Sequence, residues 1–166
     1  MIMDKESKEL LLKDLCARLP YGVKGRVYAE ATNGEYDIDG DLIFFDSPFD
    51  VILDDINIST EEIHVIAIGN EDTVDFIEEQ QIDGKPYTID EFKPYLRPMS
   101  ELKDEELLQF GIAKKCFDDV REMKGEYYVP SDNVIDWVDY LNSHFYDYSG
   151  LIEQHLSIQA SEGMYD

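Results

Sequence analysis

Positive charge is scarce in this chain. Fourteen Lys and Arg stand against 38 Asp and Glu, a formal net charge of −24 over 166 residues. Six of the basic residues lie in 1–26 and eight in 85–166. None lies in 27–84, where 17 acids fall. This argues against direct nucleic-acid binding, which draws its affinity from Lys and Arg on phosphates, and against docking on anionic lipid. Long apolar runs are missing as well. Nothing approaches the roughly 20 residues of a membrane span, and Met1–Glu9 is polar, without the apolar stretch of a signal peptide. Cysteine is limited to Cys16 and Cys116, with no C-x-x-C spacing, so both read as buried free thiols. There is no G-x-S-x-G, no G-x-G-x-x-G and no phosphate-cradling glycine loop. Repeats, low-complexity tracts and Pro/Gly/Ser linkers are absent too.

What is present suits one folded unit. The chain is 43% apolar and 12% aromatic, enough for a core without metal or disulfide at this length. Residues 5–19 carry an apolar stripe at Leu11, Leu12, Leu15 and Leu19, with Asp4 placed to cap and Pro20 and Gly22 to stop the helix. From Val23 the pattern shortens into extended runs: Arg26–Thr32, Tyr36–Ile38, Leu42–Phe45, Val51–Leu53, Ile56–Ile58, Ile63–Ile68 and Thr73–Ile77. Asn33-Gly34, Asp39-Gly40 and Asp83-Gly84 read as turns, the first as the hairpin signal. A helix is expected over 101–123, capped by Ser100, then an extended Tyr127–Val129. A further helix is expected from Ser131 or Asp132 to about Phe145, and a short one at Leu151–Leu156. The expected fold is α+β: an N-terminal helix (1–22), a small curled, barrel-like antiparallel sheet of about five strands (23–92), and a helical C-terminal part (93–166).

Several residue patterns bear on chemistry. Glu35, Asp37, Asp39 and Gly40, with Asp46, fall on the first, third, fifth, sixth and twelfth places of a calcium loop, and Asp41 adds a further carboxylate. Strand-like flanks and the Glu and Asp at the two ends depart from that template, so the expectation is a solvated hairpin with at most weak, opportunistic Ca²⁺ binding. His144, Asp147, Glu153 and His155 match no zinc spacing, and His64 sits inside an apolar strand. The acid block invites a second thought, that ordered carboxylates imitate the phosphates of DNA. The run Phe145-Tyr146-Asp147-Tyr148 is the aromatic cluster best placed for a partner.

Four segments carry a family resemblance. Glu9–Val23 (ELLLKDLCARLPYGV), Lys93–Ser100 (KPYLRPMS), Asp147–Ile152 (DYSGLI) and Glu162–Tyr165 (EGMY) resemble, in order, segments of a group of uncharacterised small proteins. These belong to Bacteroides-type gut bacteria and their phages and prophages. Ser149 and Ser161 depart from the group, and 27–84 is the span least like it. The resemblance implies a cytoplasmic accessory protein of mobile DNA and carries no activity, cofactor or catalytic residue. Physically the segments read as seams between sheet and helices, or else as one patch of Tyr21, Tyr95, Arg97, Tyr148 and Tyr165, with Arg18 and Arg97 as rare positive charges. The functional expectation is a non-enzymatic interaction protein with a protein partner of basic character. The alternatives are an acidic DNA mimic that inhibits a nucleic-acid-binding protein, and a carboxylate- or metal-dependent hydrolase.

Overall fold

In the computed structural model, residues 3–68, 85–110 and 134–165 are described. The N-terminal helix, α1 (Lys5–Arg18), begins where the Asp4 carboxylate accepts the Ser7 N–H at 2.9 Å. It ends in a 3-10 turn, Leu19–Tyr21, closed by Gly22 at φ 71°. Its buried positions are Leu11, Asp14, Leu15 and Arg18. That is the helical 3–4 spacing, but half of the inward stripe is charged. Leu11 and Leu15 sit in the core as the sequence pattern predicts, whereas Leu12 and Leu19 only flank it.

The sheet has six strands: β1 (Lys24–Tyr36), β2 (Leu42–Asn57), β3 (Glu62–Ala67), β4 (Tyr87–Thr88), β5 (Lys93–Leu96) and β6 (Ile158–Gln159). The spatial order is β4-β3-β2-β1-β5-β6. Every pairing is antiparallel except β5 with β6. The two-residue strands β4 and β6 form the edges and do not pair with each other, so the sheet is open and the barrel-like expectation does not hold. Residues 93–96 and 158–159 join the sheet, so the sheet reaches beyond 23–92 into the part assigned to the helical C-terminal portion.

Two expected breaks in the sheet are bridged. The hairpin does not turn at Asn33-Gly34. β1 runs through these residues with a register shift between Thr32 and Tyr36, and the chain reverses at 37–41. There the Asp37 Oδ1 accepts the Asp39 and Asp41 N–H groups, both at 2.9 Å, and Gly40 adopts φ 89°. A side chain that satisfies two loop amides and a glycine with positive φ outweigh the Asn-Gly preference. Val51–Leu53, Ile56 and Asn57 likewise belong to one strand, and Ile58 falls in the turn after it. Pairing passes from Leu53↔Val65 to Asp55↔His64, so Asp54 is the extra residue of a β-bulge.

The helical part is shorter than expected among the described residues. A 3-10 turn occupies Met99–Glu101, and α2 runs only Asp104–Gln109. Its start is capped by Glu106, whose Oε2 accepts the Lys103 N–H at 2.6 Å, instead of by Ser100. The last helix, α3, is Val134–Ser143. It ends in a Schellman-type turn, with Tyr146 N–H on Leu141 O and Phe145 N–H on Asn142 O. Phe145 holds the left-handed position at φ 60°, where a non-glycine residue costs of order 1 kcal/mol. Leu151–Leu156 forms tight turns, not a helix. The expectations for Thr73–Ile77, Asp83-Gly84, residues 111–123, Cys116, Tyr127–Val129 and Ser131 or Asp132 lie outside the described residues. No helix among the described residues is long and apolar enough to cross a membrane.

Two apolar clusters result. The larger joins α1 to the sheet through Leu11, Leu15, Val27, Val51, Leu53, Ile63, Val65 and Phe92, closed by Phe145, Leu151 and Leu156. The smaller holds Leu102, Leu107, Trp137, Leu141 and Tyr146. Arg18, fully buried, connects them. Its guanidinium donates Nε to Asp14 Oδ2 at 2.6 Å and Nη2 to Asp14 Oδ1 at 3.0 Å. Nη2 also donates to Tyr146 O at 2.7 Å, and Nη1 to Leu141 O at 3.5 Å. Ser149 Oγ donates to Asp14 Oδ1 at 3.1 Å. Replacing Arg18 with Met leaves the Asp14 carboxylate buried without its cation and takes one of their donors from the Leu141 and Tyr146 carbonyls. We expect R18M to lose about 3–5 kcal/mol in urea unfolding. The paired change D14L/R18M should lose clearly less than the sum of its single variants, and additive losses would show that the two side chains do not act as a unit.

Candidate interaction site

Two parts of the structure gather the residues singled out by sequence: the C-terminal seam and the β1–β2 arm. At the seam the four resembling segments meet. Arg97 and Tyr146 form a parallel bridge, with Arg97 N–H on Phe145 O and Asp147 N–H on Arg97 O, both 2.8 Å. The Arg97 guanidinium lies 4.6 Å from the centre of the Tyr146 ring. Asp147 accepts the Leu151 and Ile152 N–H groups at 2.8 Å, which fixes the turn that follows. Tyr165 stacks on Phe145 at 3.8 Å between ring centres. Its hydroxyl accepts the Lys24 N–H at 3.1 Å and donates to Tyr95 O at 2.8 Å. A phenol thus fills the position where β1 and β5 separate.

These contacts decide what the patch candidates can do. Tyr95, Phe145 and Tyr146 are buried, and Tyr148 and Tyr165 are half-buried. Tyr148 packs beneath the Arg18 guanidinium and donates to Asn142 Oδ1 at 2.9 Å. Tyr21, at the surface, donates to Asp139. The aromatic residues therefore spend their hydroxyls on carboxylates, on Asn142 and on the backbone, and several of their faces on rings and cations, so all of them but Tyr21 are taken up largely in internal packing.

Glu106 gathers two phenols around one carboxylate. Its Oε1 accepts Tyr140 OH at 2.6 Å and Tyr146 OH at 3.1 Å. Burial would raise its pKa, but the bonds from Tyr140, Lys103 N–H and Tyr146 outweigh it and hold the carboxyl below its usual range. Burial and the Glu106 charge push both phenols up. Burial and the bond to Asp50 likewise push Tyr95 up to about 12. Each shift moves its group away from neutrality, which suits a strut and not a proton shuttle. Among the described residues no three His, Cys, Asp or Glu groups are arranged to hold an ion. His144 is exposed, stacked on Tyr140, and His155 is exposed at φ 60°.

The arm is different. β5 accompanies β1 only at Gly25 and Arg26, and β3 accompanies β2 only from Val51 to Asn57. Between these limits, residues 27–50 form a two-stranded ribbon that carries seven acids and no Lys or Arg. β1 extends about 30 Å past its last β5 pair at a strand's rise per residue. Cross-strand partners share a face, so Val27↔Phe49 and Ala29↔Ser47 continue the core face outward, with Phe45 next on β2. Val27 is fully buried at its root, while Phe45 is 45% exposed farther out. Tyr28, Tyr36, Ile38 and Ile43 are exposed as well, Ile38 completely. Glu35, Asp37, Asp39, Asp41 and Asp46 are exposed around them. Asp37 Oδ1 accepts two of its own loop amides and so holds the turn. Sequence reasoning found these acids but missed the apolar residues between them, because reading Asn33-Gly34 as the turn hid the length of the ribbon.

Comparison of the chain with protein families, with curated proteins and with solved structures found no match.

Two outcomes follow from the seam. Y165F removes the acceptor of Lys24 N–H and the donor to Tyr95 O, and should lose about 1–3 kcal/mol in chemical unfolding. Y28F, on the exposed arm, should lose almost nothing. Glu106 has a folded pKa below its ordinary 4.5. Its contribution is therefore complete above that pH and is lost as pH falls through it toward the folded value. The difference in Tm between the parent and E106Q should be positive at pH 7 and shrink below about pH 4.5. A difference that stays constant with pH would assign Glu106 no charge-dependent role.

Proposed function

We propose that the chain is a non-enzymatic interaction protein that presents the β1–β2 arm to a basic protein partner. The observation that carries this reading is the arm itself: a projecting ribbon with exposed Tyr28, Tyr36, Ile38, Ile43 and Phe45 among seven acids and no base. A two-stranded ribbon is marginal alone in water, and apolar side chains on it gain by being covered. The carboxylates select a positively charged cover and steer its approach. The alternative of a hydrolase finds little support at the Glu106 cluster, where the shifts run away from neutrality. Imitation of DNA is the narrower form of the same reading, in which the basic partner is a nucleic-acid-binding protein.

The test is capture from a nuclease-treated bacterial lysate by tagged parent chain, I38S/F45S and D41K/D46K, across a salt series, with I135S on α3 as control. A basic protein held by the parent and by I135S, lost by both arm variants and weakened by salt, is the expected result. Equal capture by the arm variants would remove the arm from the function. If the captured protein also loses its DNA in the presence of the chain, the imitation reading gains.

A further inference from the structure

The arm's two long edges are not equivalent, and the hydrogen-bond phase of the sheet says how. Leu53 N–H donates to Val23 O at 2.9 Å. In an antiparallel ladder this makes 23:53 a bonded pair and, two residues at a time, 25:51, 27:49, 29:47 and 31:45 as well. The amides of 24, 26, 28, 30 and 32 on β1, and of 52, 50, 48, 46 and 44 on β2, therefore point away from the partner strand. Two neighbouring contacts agree with this phase. Lys24 N–H is taken by Tyr165 OH, and Ile68 N–H reaches Asp50 O on the other side.

On β2 the first outward position past Asp50 is Pro48, which has no amide to offer. A proline there blunts an edge against further pairing. On β1 the outward positions past Arg26 are Tyr28, Glu30 and Thr32, all with donors, and no proline lies in the strand. β5 leaves β1 at Lys93 because Phe92 turns into the core across Gly25, where any Cβ would overlap its ring. Among the described residues no strand flanks β1 beyond that point. The fold thus closes one edge of the ribbon and leaves the other complete.

Resting on the reading of the arm as a docking element for a basic partner, we infer that the partner binds by strand addition. An extended segment of alternating Lys or Arg and apolar residues pairs with the outer edge of β1 at Tyr28, Glu30 and Thr32. Main-chain hydrogen bonds supply affinity in this mode, and alternate side chains supply selection. Charge chooses the occupant. A second copy of this chain would set two ribbons of seven acids against each other, whereas a basic strand places its cations among them.

The experiment titrates the full chain with a short labelled peptide alternating Lys with Val or Thr, and with the same peptide N-methylated at every second backbone amide. Strand addition predicts that methylation weakens binding about tenfold or more at equal charge. It also predicts that Y28P, which removes an outward donor and leaves the β1–β2 ladder intact, weakens the parent peptide more than Y28A does. Hydrogen exchange at Tyr28, Glu30 and Thr32 should slow on binding. If both peptides bind equally and salt releases both, strand addition is overturned and the basic-partner reading stands. If neither binds at low ionic strength, both readings fall. Concentration-dependent dimers abolished by Y28P would assign the edge to a second copy and overturn the proposal.

Discussion

A bidentate ion pair between Asp14 and Arg18, closed off from water, is the constraint on which the remaining architecture rests. Both charges lie one turn apart on α1 and face inward, where neither is tolerated alone. The pair is acceptable because both carboxylate oxygens and most of the guanidinium N–H groups have partners. Arg18 spends its remaining donors on the carbonyls of Leu141 and Tyr146, and Asp14 takes a further bond from Ser149. Those partners stand more than 120 residues along the chain. The N-terminal helix can therefore bury its inner stripe only when the end of α3 and the turn after it are already in place. The pair fixes the relative position of two apolar clusters that would otherwise slide.

The same logic runs along the seam. Carbonyls and amides released where α3 ends are taken up by Arg97, by the Asp147 carboxylate and by the turn itself. The backbone between β1 and β5 is completed by the Tyr165 hydroxyl. Aromatic rings cover these polar contacts from above and keep water away, which strengthens them. A chain with so much negative charge gains from placing its few internal cations where each neutralises a buried carboxylate or sits on a ring. Most of the other described acids are exposed, several of them on the arm, where solvent screens the repulsion. The seam is rich in internal partners, whereas among the described residues the outer part of the ribbon has none but its own two strands.

Local signals served well where the decisive contacts are local. The Asp4 cap, the Leu11 and Leu15 stripe, the stop at Pro20 and Gly22 and the general run of strands were all legible, since propensity, capping and alternation act over a few residues. Asn33-Gly34 misled for an instructive reason. Its preference for a tight turn amounts to a small local energy, and the pairing of Tyr36 with Leu42 together with the Asp37 loop outweighs it. Asp54 and Asp55 similarly looked like a break, though a bulge lets the strand continue. Arg18 and Asp14 were visible as charges at helical spacing, but nothing nearby said that they point inward.

By itself the sequence determined the class of the protein: α+β, strongly acidic, with a helix leading into a run of antiparallel strands and a block without a single cation. These follow from composition and short-range pattern, which each residue carries wherever the chain goes. Only the tertiary structure decided that the sheet stays open, that the aromatic residues near the C-terminus are consumed by the seam, and that an apolar and acidic ribbon is flanked by no other strand among the described residues. Those outcomes depend on which distant groups saturate one another's hydrogen bonds. That matching is made between Arg18 and Tyr146, or Tyr165 and Lys24, and no window along the chain contains both partners.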